Sequence, residues 1–207
     1  GKGLSKRLGS LSIGGLRDDG IEAMTVVSHA ALLGTSDAVA PHADMAELIE
    51  PFDLAKLSRA PARFDEAELA GLNARLLHEL PYEAVSSRLS ADGGGAFWEA
   101  VRGNISKLSE AAGWHDVVYG QVTPVIADED RAFANEAASE LPDGVLDETS
   151  WKSWTNNLKE TTGRKGKGLF MPLRLALTGL DHGPELASLL PLIGREKAIA
   201  RLKGEAA

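Results

Sequence analysis

The sequence predicts a mainly α-helical chain. Three observations carry this reading. Apolar residues recur at helical spacing in most long segments, strand signals are confined to two short stretches, and no strand–helix alternation of the kind that builds a parallel sheet is present. Of 207 residues 43% are apolar, enough to bury a core. At 207 residues the chain is long enough for one domain or two small ones.

The first strand signal is the imperfect alternation of "RLGSLSI" (7–13). "IEAMTVVSHAALLG" reads as a helix stopped by Gly34. "FDEAELAGLNARLLHEL" is a stronger one. Asp65 is its cap, Glu68 completes a capping-box pattern, Leu69, Leu72, Leu76 and Leu80 share a face, and Pro81 ends it. The run Gly93-Gly94-Gly95 marks a turn or linker. Phe97, Val101, Ile105, Leu108 and Ala112 then form an apolar stripe that Gly113 is expected to stop. The second strand candidate is 117–126. "DEDRAFANEAASEL" predicts a helix capped by Asp128, and "DETSWKSWTNNLKE" groups Trp151, Trp154 and Leu158. Two more helices are expected near 169–178 and 184–203, the latter broken at Pro191 or Gly194. No internal repeat is present.

Composition excludes several classes. There is no cysteine, so neither a disulfide framework nor a cysteine zinc site. His29, His42, His78, His115 and His182 lack metal-ligand spacing, and no metal site is assigned. No run of apolar residues reaches transmembrane length. The net charge of −8 is unevenly spread. Residues 1–17 hold four basic and no acidic side chains, 18–150 hold eight basic and twenty-five acidic, and 151–207 hold ten basic and five acidic. Such segregation shapes a binding field more than the total does. The acidic middle is equally well read as solvated helix faces.

Two stretches carry chemistry. In "GKGLSKRLGS", glycines let the backbone approach a phosphate while Ser5, Lys6 and Arg7 supply a hydroxyl and positive charge. The alternative is an ordinary solvated loop. In "GRKGKGLFMPLRLALTG" (163–179), basic residues sit beside glycines, Pro172 is expected to open a helix, and Arg174 stands among leucines. Arg174 either snorkels or faces a partner. Lys165 and Lys167 are either phosphate contacts or part of a solvated turn.

At these residues the sequence resembles a known family. "GLSKR" is similar to the lysine–serine–lysine signature loop of class I aminoacyl-tRNA synthetases, in the form typical of bacterial glutamyl-tRNA synthetases. "LFMPLRLALTG" with "GPELASLLPLIGREKAIARL" looks like the end of that family's anticodon-binding domain. "FDEAELAGLNARLLHEL" and "WKSWTNNLKETTGRKGKG" are similar to two of its other helical segments. The resemblance covers the whole chain, with one departure at Gly3, where the family often has a lysine.

The resemblance implies a C-terminal fragment of such an enzyme, lacking the nucleotide-binding domain. A small, mostly helical domain with the signature loop, stem contacts and one or two short strands, over 1–90, would precede a helical anticodon-binding domain over 91–207. In the parent, ATP, magnesium and glutamate are implied, none held tightly by the fragment alone. Leu4, Ser5 and Lys6 would contact ATP, with Lys6 stabilising the departing pyrophosphate. Arg174, Pro184 and Leu186 fall where the family contacts the anticodon, and Gly183 where some relatives carry a larger residue. The implied partner is tRNA, most simply that for glutamate, bound by a cytoplasmic monomer with no membrane role. The alternatives are a helical RNA- or protein-interaction module, or a glutamyl paralogue with altered tRNA choice.

Overall fold

The structure, a computed structural model, describes residues 12–59, 61–89 and 93–207. These residues form twelve α-helices with short 3-10 turns between them. The chain divides into two compact units. The first runs to Leu89 and also takes Ile105–Glu110, and the second holds Ser90–Asn104 and Ala111–Ala207.

In the first unit the helices are α1 (Ile13–Asp18), α2 (Ala23–Leu32), α3 (Ala46–Ile49), α4 (Glu66–Glu79) and α5 (Tyr82–Val85). The strongest is α4. Asp65 caps it by accepting from the N–H groups of Ala67 and Glu68, satisfying two donors that the helix itself cannot. Leu69, Leu72, Leu76 and Leu77 are buried along its inner face. The expected capping box is only half made, since the Glu68 carboxylate lies 3.4 Å from His29 Nε2 on α2. Between the leucines sits Asn73, fully buried. Its Oδ1 accepts from Glu22 N–H at 2.8 Å and Thr25 Oγ1 at 2.9 Å, and its Nδ2 donates to Ser106 O at 2.7 Å. One amide therefore joins the start of α2 to the 105–110 return, which His78 also meets, 3.0 Å from Ile105 O.

The second unit contains α6 (Gly94–Val101), α7 (Ala111–Tyr119), α8 (Arg131–Ser139), α9 (Ser150–Thr162), α10 (Lys167–Thr178), α11 (Leu186–Ile193) and α12 (Arg195–Leu202). The most apolar of these, α11, packs against α6, α7, α9 and α12, burying Leu186, Leu189, Leu190 and Ile193. Helix α12 lies against α8, α10 and α11 and carries the fully buried Arg201. The Arg201 guanidinium donates to Val117 O and Leu177 O at 2.8 Å, Ala207 O at 2.8 Å and Gly120 O at 3.2 Å. Burial pulls its pKa below the ordinary guanidinium value. One turn earlier Lys197 Nζ donates to Tyr119 O at 2.6 Å.

Several local expectations are corrected. The expected short strands do not form among the described residues, where the β pairing is one antiparallel bridge between Thr35 and Leu57. Residues 7–11 lie outside the described residues, and Ile13 heads α1 because Ser12 Oγ accepts from Gly15 N–H at 2.9 Å. Val117 and Val118 lie in the last turn of α7. Beyond them Val122 exchanges backbone bonds with Ala207, and Val125 N–H donates to Leu175 O. Extended backbone needs a neighbouring strand to become a sheet, and here its neighbours are Ala207 and a helix.

Glycine and proline punctuation also misleads. Gly113 lies within α7, and Gly94 and Gly95 begin α6. The stripe breaks instead at 102–110, where 3-10 turns occupy Arg102–Asn104 and Leu108–Glu110. Asp128 bonds Arg131 Nε at 2.9 Å and does not cap its helix. Pro172 lies inside α10, which begins at Lys167. The carbonyl that its missing N–H leaves open, that of Gly168, accepts from Arg164 Nη1 at 3.2 Å. The final break falls at Gly194, at φ +80°, and Pro191 is held within α11.

Replacing Arg201 by Met should cost about 3 kcal/mol or more, because several buried carbonyls lose their donors and each unsatisfied group costs about 1–3 kcal/mol. Denaturant unfolding measures this. A second expectation concerns Asp147, whose Oδ1 accepts from the N–H and hydroxyl of both Thr149 and Ser150. These bonds, led by the Thr149 hydroxyl, hold its pKa below the usual carboxylate value. Its contribution is therefore complete above the unfolded pKa of about 3.9 and is lost as pH falls through the lower folded value. Asp147→Ala should lower the unfolding midpoint at neutral pH, and the gap to the parent chain should close in acid.

Candidate nucleic-acid interface

The basic, glycine-rich turn starts where α9 ends. Gly163 adopts φ +69° and its N–H closes the helix on Lys159 O at 3.1 Å, a conformation that favours glycine. The basic residues that follow play different parts. Arg164 pairs with Asp130 at 2.5 Å and lies over the Phe133 ring at 4.3 Å, so it is structural. Lys165 and Lys167 are exposed.

Helix α10 buries Leu169, Leu173, Ala176 and Leu177 at helical spacing. Phe170 and Arg174, four residues apart, therefore share its outer face. Arg174 neither snorkels nor hangs free. Its Nη2 donates to Pro184 O at 2.9 Å and its Nη1 to His182 O at 3.2 Å, and partial burial lowers its pKa. The guanidinium thus clamps the loop that joins α10 to α11.

That loop is fixed from both ends. Gly179, at φ +72°, closes α10 through its N–H to Leu175 O, and Thr178 Oγ1 accepts from Leu180 N–H at 3.1 Å. Gly183 sits at φ +115° directly on the Trp114 indole, where a Cβ would collide with the ring. His182 projects into solvent, edge-on to Trp114, with its Nδ1 2.8 Å from Asp181 Oδ1. That hydrogen bond is the main reason the Asp181 carboxyl lies below its usual pKa. Pro184 is buried.

These elements surround a groove of about 270 Å³ lined by Trp151, Phe170, Arg174, Glu185, Leu186 and Ala187. The structure thus gathers Arg174, Pro184 and Leu186 at one place, with Pro184 acting through its carbonyl. Sequence reading missed the roles of Phe170, Trp114 and Glu185. The spacing from Phe170 to Arg174 was the one available signal. Leu4, Ser5 and Lys6 lie outside the described residues. Among the described residues no group of three or more His, Asp or Glu is placed to hold a metal ion, and no helix is long and apolar enough to cross a membrane.

An anticodon binding domain family matches residues 44–205. The chain is 56% identical over 212 residues to glutamate–tRNA ligase 2 of Methylorubrum populi, covering 100% of this chain and 47% of that protein. It is 57% identical over 208 residues to glutamate–tRNA ligase 1 of Maricaulis maris, covering 99% and 46%. The chain spans about half the length of the curated relatives it matches. Among solved structures, a glutamate tRNA ligase from Elizabethkingia meningosepticum in complex with its amino acid superposes with a TM-score of 0.72. That match has 22% identity over 96% of this chain and 43% of the other, a likeness of fold.

The close fit at Gly183 yields a test. Gly183→Ala should destabilise the chain by about 1–3 kcal/mol, from steric conflict and from a backbone angle that L-residues resist. Trp114→Leu in the same chain should recover the steric part only. A double-mutant cycle in denaturant measures the coupling, and strictly additive losses would show that the two residues do not oppose one another.

Proposed function

The chain belongs to the anticodon binding domain family, and we propose that it is the tRNA-binding, C-terminal part of a glutamate–tRNA ligase. One observation carries the reading: the clamped loop and Arg174 meet aromatic and aliphatic side chains around a single groove. RNA sequence is read chiefly in loops, where unstacked bases expose their edges to stacking and hydrogen bonding. A groove whose walls are fixed before binding suits that task, because little order remains to be imposed. Lys165 and Lys167 supply exposed charge for phosphates. The first unit supports the inner corner of the tRNA, and the second reads the anticodon of tRNA for glutamate.

The parent enzyme is a cytoplasmic monomer that joins glutamate to tRNA. ATP and magnesium supply the activation of glutamate when bound. Lys6, with Leu4 and Ser5, holds the ATP phosphates in this reading. The described residues offer magnesium no ligand set, and no step through it is assigned to them.

Arg174→Ala should weaken binding of the cognate anticodon by about 1–3 kcal/mol, the range for a directed base contact, and by less for a mutated anticodon. Arg174→Lys should recover little, since an ammonium cannot span the two carbonyls and a base together. Matched affinity and melting measurements decide the matter. A lower melting temperature with anticodon preference intact would sink the assigned role.

Salt dependence tests the lysines. Each phosphate contact on single-stranded RNA contributes about 0.7 to the slope of log affinity against log salt. Lys165→Ala with Lys167→Ala should flatten that slope and weaken all tRNAs alike, and an unchanged slope returns the turn to solvent.

A further inference from the structure

We propose that Trp151 and Phe170 form a stacking platform that receives one unstacked RNA base. The inference deepens the anticodon-binding reading and rests on it. The observations concern two rings that packing alone does not account for. Trp98, Trp114 and Trp154 are all buried, and so are Leu158 and Leu169, neighbours of the platform in sequence. Phe170 is instead 36% exposed, and Trp151 is only partly covered. Both line the groove of about 270 Å³ that Arg174 and Leu186 also line.

The geometry suits stacking. Trp151 meets the buried Trp154 edge to face, with centroids 5.6 Å apart at 70°, so it is held from below. Trp151 and Phe170 lie 6.2 Å apart, tilted by 33°, so their faces are nearer parallel than perpendicular. Lys159 Nζ stands 5.6 Å above the Phe170 ring, a cation placed for the phosphate next to a stacked base. Arg174 uses part of its donor set on the loop carbonyls and keeps further N–H groups for a base edge. The Glu185 carboxylate on the rim decides between ligands. It repels a phosphate inside the groove but can accept from an exocyclic amino group.

Stacking is tolerant of sequence, because every base has a π-face. The platform therefore supplies affinity, while Arg174 supplies discrimination. The two roles are separable in one titration. The chain would be titrated with an anticodon stem–loop RNA, with the same RNA bearing a mutated anticodon, and with a set in which each loop base in turn is abasic. Phe170→Ala should weaken the intact RNAs about tenfold, within the range known for base–aromatic stacking, and leave the anticodon preference unchanged. Phe170→Tyr should bind as the parent does. Trp151→Leu, which keeps apolar packing against Trp154, should weaken binding similarly, with the melting temperature read alongside.

One abasic RNA should bind the parent chain weakly and lose nothing further on Phe170→Ala, which identifies the stacked base. The proposal fails if Phe170→Ala and Trp151→Leu bind intact RNA as the parent does while Arg174→Ala still erodes preference. It also fails if no abasic position abolishes the Phe170→Ala effect. If the parent chain shows no anticodon preference at all, the anticodon reading itself falls and takes the platform with it.

Discussion

A guanidinium buried from solvent organises the second unit. Arg201 is fully buried, with hydrogen bonds to four backbone oxygens. Two of these, Val117 O and Leu177 O, belong to the last turns of α7 and α10, and Gly120 O lies just beyond α7. The final carbonyls of a helix lack partners within it and carry the negative end of its dipole. Two such ends repel one another and resist burial. One delocalised cation with a rigid fork of donors satisfies both, as an ammonium could not. Lys197, one turn earlier on α12, binds Tyr119 O and extends the same arrangement toward the surface.

The consequence reaches the groove. Leu177 O belongs to the last full turn of α10, and the loop that Arg174 clamps begins two residues later at Gly179. Anchoring that end of α10 fixes the outer face on which Phe170 and Arg174 ride. Arg174 then ties the loop down through His182 O and Pro184 O, and Gly183 lets it rest on Trp114. Two arginines on different helices thus perform one kind of work, using backbone carbonyls as their counterparts in place of carboxylates. A site assembled this way has lost most of its freedom before any ligand arrives, which lowers the entropy cost of binding.

The first unit depends on a neutral version of the same device. Asn73, buried among leucines, accepts from Glu22 and Thr25 and donates to Ser106. A buried amide is tolerable only when its partners are supplied, and those partners lie 33 to 51 residues away in the chain. This bonding draws 105–110 back to the first unit after α6 has begun the second.

The sequence alone determined the class of the fold, because helical periodicity is a local property and the leucines of α4 and α11 repeat it plainly. It determined the Asp65 cap, since a cap is satisfied within one turn of its own residue. It also marked Arg174, Pro184 and Leu186 as belonging together, through resemblance to a family and not through spacing. The tertiary structure bonds Arg174 to the Pro184 carbonyl and sets Leu186 in the same groove. Whether Val117 to Ile126 became a strand depended on a neighbour the sequence could not show. Whether Pro172 could stay inside α10 depended on Arg164, eight residues earlier, reaching an orphaned carbonyl. The approach of the Trp151 and Phe170 rings to 6.2 Å depended on how α9 and α10 meet in the fold. Asn73 and Arg201 are polar residues among buried apolar ones. Only the folded chain brings them the distant carbonyls and N–H groups that make their burial favourable, because hydrogen-bond satisfaction is a property of space and not of sequence order.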